Sequence, residues 1–150
     1  MKANPVANNA LTFPSAGQTL ANGLSIQNTP VNQTTDLAID SVLQLVITLG
    51  SGTLGSNPAV YVYFAGSNDN THWPGGLSAS PGASFTAATV PNFRQIGIIN
   101  FAAASTTEEL TLSLAAAIGT LPNYWSIVVT NATGLAFTAL SANYEVWQTQ

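Results

Sequence analysis

The run Asp36-Leu37-Ala38-Ile39-Asp40-Ser41-Val42-Leu43-Gln44-Leu45-Val46-Ile47-Thr48-Leu49 alternates with a period of two. Leu37, Ile39, Leu43, Leu45, Ile47 and Leu49 share one parity, interrupted only by Ser41, while Asp36, Asp40, Gln44 and Thr48 fall on the other. Successive side chains of an extended chain point to opposite faces, so this pattern gives one apolar and one wet face. On a helix the same apolar residues would wrap around the whole cylinder. A strand over 36–49 follows, with Leu43, Leu45 and Ile47 as core. It is closed by the turn-forming Gly50-Ser51-Gly52 and Gly55-Ser56-Asn57-Pro58.

Outward from this strand the β pattern repeats. Val60-Tyr61-Val62-Tyr63-Phe64-Ala65 is apolar or aromatic on both parities, which predicts a strand covered on both faces. Ser67 to Ala83 reads as a long loop, with Asn68-Asp69-Asn70, Pro74-Gly75-Gly76 and Pro81-Gly82 as turn signals. Strands are expected at Phe85–Val90, Arg94–Phe101, Tyr124–Thr130, Leu135–Leu140 and Asn143–Thr149. The turn Asn131-Ala132-Thr133-Gly134 joins the third and fourth of these as a hairpin. Thr107–Ile118 is open: Ser105 before Glu108 resembles a helix capping box, yet Leu110, Leu112 and Leu114 alternate with Thr111 and Ser113. The alternation favours a strand over 108–114 followed by a loop or a short turn of helix. Residues 1–18, rich in Asn, Ala and Pro and without a period, read as an extended N-terminal arm that orders on a neighbouring subunit. The expected architecture is all-β: an antiparallel, jelly-roll-like β-sandwich of about eight strands spanning 19–150, preceded by the arm.

Composition narrows the function. Two basic and six acidic side chains among 150 residues make the chain 5% charged, against 46% hydrophobic. An ordinary domain carries roughly 25% charge. The two basic residues, Lys2 and Arg94, are far apart, so no basic patch is expected and neither nucleic acid nor anionic membrane is an expected partner. The polar surface must be amide and hydroxyl, which desolvates at lower cost than a charged one and suits a surface covered by partners. Cysteine is absent, which removes disulfides and thiolate metal sites. No apolar segment follows Met1-Lys2 and no run reaches the ~20 apolar residues of a membrane span, so neither a signal peptide nor a transmembrane helix is expected.

Catalytic constellations do not assemble from the sequence. His72 is the single histidine; a triad would need it beside Asp36, Asp40 or Asp69 and a serine, with no Gly-x-Ser-x-Gly elbow to mark the nucleophile. Asn68, Asp69 and Asn70 offer oxygens, but not at calcium-loop spacing. Glu108 and Glu109 are neighbours and point to opposite faces of a strand. Asp36 and Asp40 share a parity yet stand roughly 13 Å apart at about 3.3 Å per residue, too far for a glycosidase pair. No enzyme activity, cofactor or metal is expected, and no catalytic residue is assigned. Trp73, in the loop, is the aromatic most open to stacking on a sugar; Trp125, Trp147, Tyr61, Tyr63, Tyr124 and Tyr144 suit a core or an interface. Asn32-Gln33-Thr34 and Asn131-Ala132-Thr133 match the glycosylation acceptor pattern.

The order of segments resembles a known group. Leu20-Ala21-Asn22-Gly23 precedes Asn32-Gln33-Thr34-Thr35-Asp36, a long strand and a Gly/Ser loop follow, and then come Val60–Phe64, Ser67-Asn68-Asp69-Asn70-Thr71-His72-Trp73 and, near the end, Val129-Thr130-Asn131-Ala132-Thr133-Gly134. Over residues 20–147 this is similar to small structural proteins of tailed bacteriophages that decorate or cement the capsid. The resemblance implies a non-enzymatic virion protein on the outer capsid surface, bound to the major capsid protein or another virion protein. It also implies a symmetric homo-oligomer, a trimer being favoured, made in the host cytoplasm. A carbohydrate-binding β-sandwich module and a phage tail or fibre subunit are the alternative readings. The stretch Leu114–Ile118 departs from the pattern.

Overall fold

The computed structural model describes residues 3–15, 18–34, 38–86 and 93–149. Among the described residues, ten strands form two antiparallel sheets packed face to face, a β-sandwich. In chain order they are β1 (Ala3–Ala10), β2 (Leu24–Gln27), β3 (Val31–Asn32), β4 (Ala38–Leu49), β5 (Ala59–Ser67), β6 (Phe85–Thr86), β7 (Arg94–Asn100), β8 (Thr107–Ser113), β9 (Tyr124–Ala132) and β10 (Phe137–Thr149). One short helix, α1 (Leu114–Ile118), lies between β8 and β9. The four-stranded sheet runs β1-β10-β4-β8, and the larger sheet runs β6-β2-β9-β5-β7, with β3 also on β9.

The long alternating strand is β4, and its parity sets the core. Leu43, Leu45 and Ile47 are fully buried, while Val42, Gln44, Val46 and Thr48 face outward. Ser41, the one polar residue on the buried parity, accepts a hydrogen bond from Gln33 Nε2 at 2.8 Å, so its burial leaves no orphan hydroxyl. Ile39 departs from expectation: it lies beyond the end of the core and is 45% exposed. Asp36 and Leu37 lie outside the described residues.

Opposite β4, strands β9 and β5 carry the other half of the core. Trp125, Ile127 and Val129 on β9 meet Val60 and Val62 on β5, all fully buried. The Trp125 ring stacks on Phe64 at 6.3 Å and meets Tyr144 of β10 edge-on at 5.3 Å, so one indole joins both sheets. Where β7 crosses β8 the sheets come too close for a side chain: a Cβ at Gly97 would lie 2.5 Å from Leu110 Cδ2. As expected, β5 is covered on both faces. Its outer Tyr63 packs with Leu77, Phe85, Phe93 and Val128 beneath the 68–86 loop. Burial raises the Tyr63 phenol above its ordinary pKa, reinforced by neighbouring Tyr61.

Several expectations are corrected. The expected strands at 135–140 and 143–149 are a single strand, β10, because Leu140, Ala142 and Val146 keep one inward parity through Ser141 with no turn residue between. The expected hairpin at Asn131–Gly134 is instead a crossing between sheets, since β9 and β10 belong to different ones. Asn131 causes this locally. Its buried amide donates to Leu20 O and Leu135 O, and its carbonyl accepts from the Thr133 N–H and hydroxyl, so the chain is turned toward the opposite sheet. In the N-terminal segment, β1 pairs with β10 of its own chain rather than waiting for a neighbour, and Leu11 enters the core behind it. Strands β2 and β3 add to the count; they are too short to show a period. The open segment resolves as strand followed by one helical turn. Ser113 caps α1 by accepting from Ala116 N at 2.9 Å, in place of the Ser105/Glu108 box. Phe85–Thr86 begins the expected strand at 85–90, whose remainder lies outside the described residues.

Candidate functional site

One end of the sandwich carries an open groove of about 540 Å³. Its floor is the end of β5 (Phe64, Gly66, Ser67), its sides are the Asn68–His72 turn and the first residue of β7, Arg94, and its far wall is Ile118, Thr120 and Pro122. Pro122 lies directly on the floor: a Cβ at Gly66 would come within 2.6 Å of Pro122 Cγ. The turn is tied to the wall by Asn123, whose amide donates to Asn68 O at 3.2 Å.

Asp69 organises the turn. Its Oδ1 accepts from the Thr71 and His72 backbone N–H groups, each at 2.9 Å, and from the Ser67 hydroxyl at 3.1 Å; its Oδ2 lies 2.6 Å from His72 Nδ1. The His72 N–H, then the imidazole, then the Thr71 N–H hold the carboxyl well below the usual carboxylate range. Asn70 takes a left-handed φ of 59°, which asparagine tolerates better than most residues. Arg94 is exposed, and its Nη1 donates over 3.5 Å to Ile118 O at the end of α1. Among the described residues, no carboxylate lies within ion-pair distance of Arg94; the carboxylate of Asp69 is instead bonded to the His72 imidazole.

The arrangement is not that of a nucleophile. Ser67 donates to the carboxylate rather than to the imidazole, and the His72 side chain is 87% exposed. A triad needs the histidine between hydroxyl and carboxylate, so that it can take the hydroxyl proton. Asp40 lies elsewhere: it accepts from Ser113 Oγ, Ala115 N and Ser41 N and serves to anchor α1 to β4. Glu108 and Glu109 fall on opposite faces of β8. Glu109 accepts from Gln44 and Thr111, which hold it below the usual carboxylate range. Among the described residues, no three His, Cys, Asp or Glu side chains gather to hold a metal ion, and no helix is long and apolar enough to cross a membrane.

The remaining sequence candidates separate clearly. Trp73 is half-buried with its Nε1 enclosed, and it does not line the groove. Trp125 is core, and Trp147 is partly buried on β10. Of the two acceptor triplets, Asn131 is fully buried with both amide hydrogens donated, whereas Asn32 is exposed in a turn closed by the Thr34 N–H and hydroxyl. Sequence reading did not pick out Arg94, Thr120 or Pro122 as a group. The one available signal was that Arg94 is the sole arginine in a nearly uncharged chain.

A second surface lies on the four-stranded sheet. The outer face of this sheet is half-exposed to exposed among the described residues. Val42, Gln44 and Val46 of β4 lie beside Glu145, Asn143 and Ser141 of β10 and Ser113, Thr111 and Glu109 of β8. Asn8 and Ala10 of β1 continue the rows. Amides, hydroxyls and two half-exposed valines dominate this face; its charged side chains are Glu109, Glu145 and, towards one end, Asp40, which is bonded to Ser113. Compared with known proteins, the chain matches no family model and no curated sequence.

Proposed function

We propose that this chain is a non-enzymatic structural subunit of a virus particle, a decoration or cement protein that sits on the outside of a tailed-phage head and stabilises it. The observation that carries this reading is the solvent-accessible, amide- and hydroxyl-rich outer face of the four-stranded sheet. Interface cores are depleted of charge, and uncharged groups desolvate at lower cost than ions. A wide face of this composition therefore suits repeated docking against a shell or a sister subunit. The order of sequence segments over residues 20–147 supports the same class. Weak contacts repeated by symmetry add through effective concentration, so no single contact needs to be strong. The partners are the major capsid protein or another virion protein, with further copies of this chain in a small closed oligomer, a trimer being favoured.

The test is mass in solution by light scattering behind a sizing column, followed by co-sedimentation with undecorated phage shells. A discrete oligomer that sediments with shells, and loses both properties in a Gln44→Lys/Val46→Lys variant, is the expected result. A stable monomer that leaves every shell bare would overturn the reading.

A further inference from the structure

We propose that the groove between the Asn68–His72 turn and Arg94 binds an acidic saccharide, a sugar that carries a carboxylate, with Arg94 taking the carboxylate. This site is distinct from the outer sheet face and does not depend on docking to a particle.

Three observations lead to it. First, the groove gathers Asp69, His72 and Arg94, three titratable side chains, in a chain that is only 5% charged. The guanidinium has five donors in a planar fork, and the contact found for it is one long bond to Ile118 O. It has no carboxylate partner among the described residues, so it is free to take a carboxylate in two-point fashion. Second, the competing carboxylate is occupied. Asp69 holds two backbone N–H groups, a hydroxyl and the imidazole, so it shapes the turn rather than neutralising Arg94. Third, the rest of the lining matches a sugar ring. Asn68 and Thr120 supply neutral donors and acceptors for hydroxyls, and Pro122 and Ile118 supply apolar surface for a C–H face. A groove of about 540 Å³ lies in the range of small-molecule sites.

The same features argue against other anions. A polynucleotide backbone is favoured by several cations, and the chain's only other lysine or arginine is Lys2. A bare carboxylate, such as an acidic side chain of a partner, would use Arg94 but leave the hydroxyl-binding groups idle.

The test is an amide-resolved NMR titration of the full-length, unassembled chain with D-glucuronate, D-glucose and acetate in parallel. D-glucuronate is expected to shift amides of 66–72, 94, 118–121 and 123. Glucose and acetate should bind at least about tenfold more weakly, the scale of a lost charge-assisted contact. Arg94→Gln should abolish the response, whereas Gln44→Ala, on the sheet face, should leave it intact. Silence to glucuronate, shifts elsewhere, or an equal response to glucose or to acetate would each overturn the proposal. Because the protein is free of particles, the result is independent of whether it decorates a head.

Discussion

Asp40 of β4 accepts the Ser113 hydroxyl at 2.5 Å, and its other oxygen takes the Ala115 N–H at 2.8 Å. One carboxylate thus fixes the point where β8 ends and α1 begins. Ser113 in turn caps the helix, so strand, cap and helix form one connected unit. Replacing Asp40 by Ala leaves these donors without their acceptor and should cost about 1–3 kcal/mol, as for other bonds to charged groups. Urea denaturation would measure it. A change in midpoint with an unchanged slope identifies lost stability rather than an altered denatured state.

The parity of β4 makes a simpler prediction. Leu45 is fully buried between the sheets, so Leu45→Ala should cost on the order of 2–5 kcal/mol. Val46→Ala, on the outer face, should stay within about 1 kcal/mol. Equal effects at the two positions would contradict the assigned faces.

Gly134 sits where the chain crosses from one sheet to the other. Its φ is +92°, and a Cβ there would lie 2.4 Å from Gly55 N, a backbone atom that cannot turn aside. Gly134→Ala should therefore destabilise by about 1–3 kcal/mol. Gly76→Ala, with a positive φ but open space around it, should cost less. Thermal unfolding of the pair separates steric clash from backbone preference.

The Asp69 turn should be sensitive to acid. Its carboxyl titrates below the usual range in the folded chain, so its contribution is whole above that range. As pH falls through the range toward the depressed folded value, the native carboxylate is protonated and the contribution disappears. Amide exchange over 67–72 should be faster in Asp69→Asn than in the parent protein at neutral pH. The two should converge in strong acid. A difference that persists unchanged would show that the amide's shape, not its charge, matters.

Deleting residues 1–10 removes β1 and leaves the edge of β10 unpaired. Exposed edges recruit other strands. The truncated chain should show a lower melting temperature and a rising scattering mass with concentration. An unchanged, well-behaved protein would mean that β1 contributes nothing to its own sheet.

By itself, the sequence determined the all-β class, the position of most strands and the identity of the central core. Leu43, Leu45 and Ile47 declare their face because a strand's side chains alternate strictly, and that signal is local. The same local logic identified the Asn68-Asp69-Asn70 turn and the strand over 108–114, but left the stretch after it open between a loop and a short turn of helix. Strand partners were beyond it. β9 and β10 look like a hairpin in sequence, yet Asn131 bonds to Leu20, 111 residues away in the chain, and sends the strands to opposite sheets. Likewise, β1 has no apolar period, because an edge strand is held by backbone bonds to β10 that any sequence can make. The groove belongs to the tertiary structure alone. Asp69, Arg94 and Pro122 come from three separate segments, and only the packing of the β5 end against the residues after α1 places them around one opening.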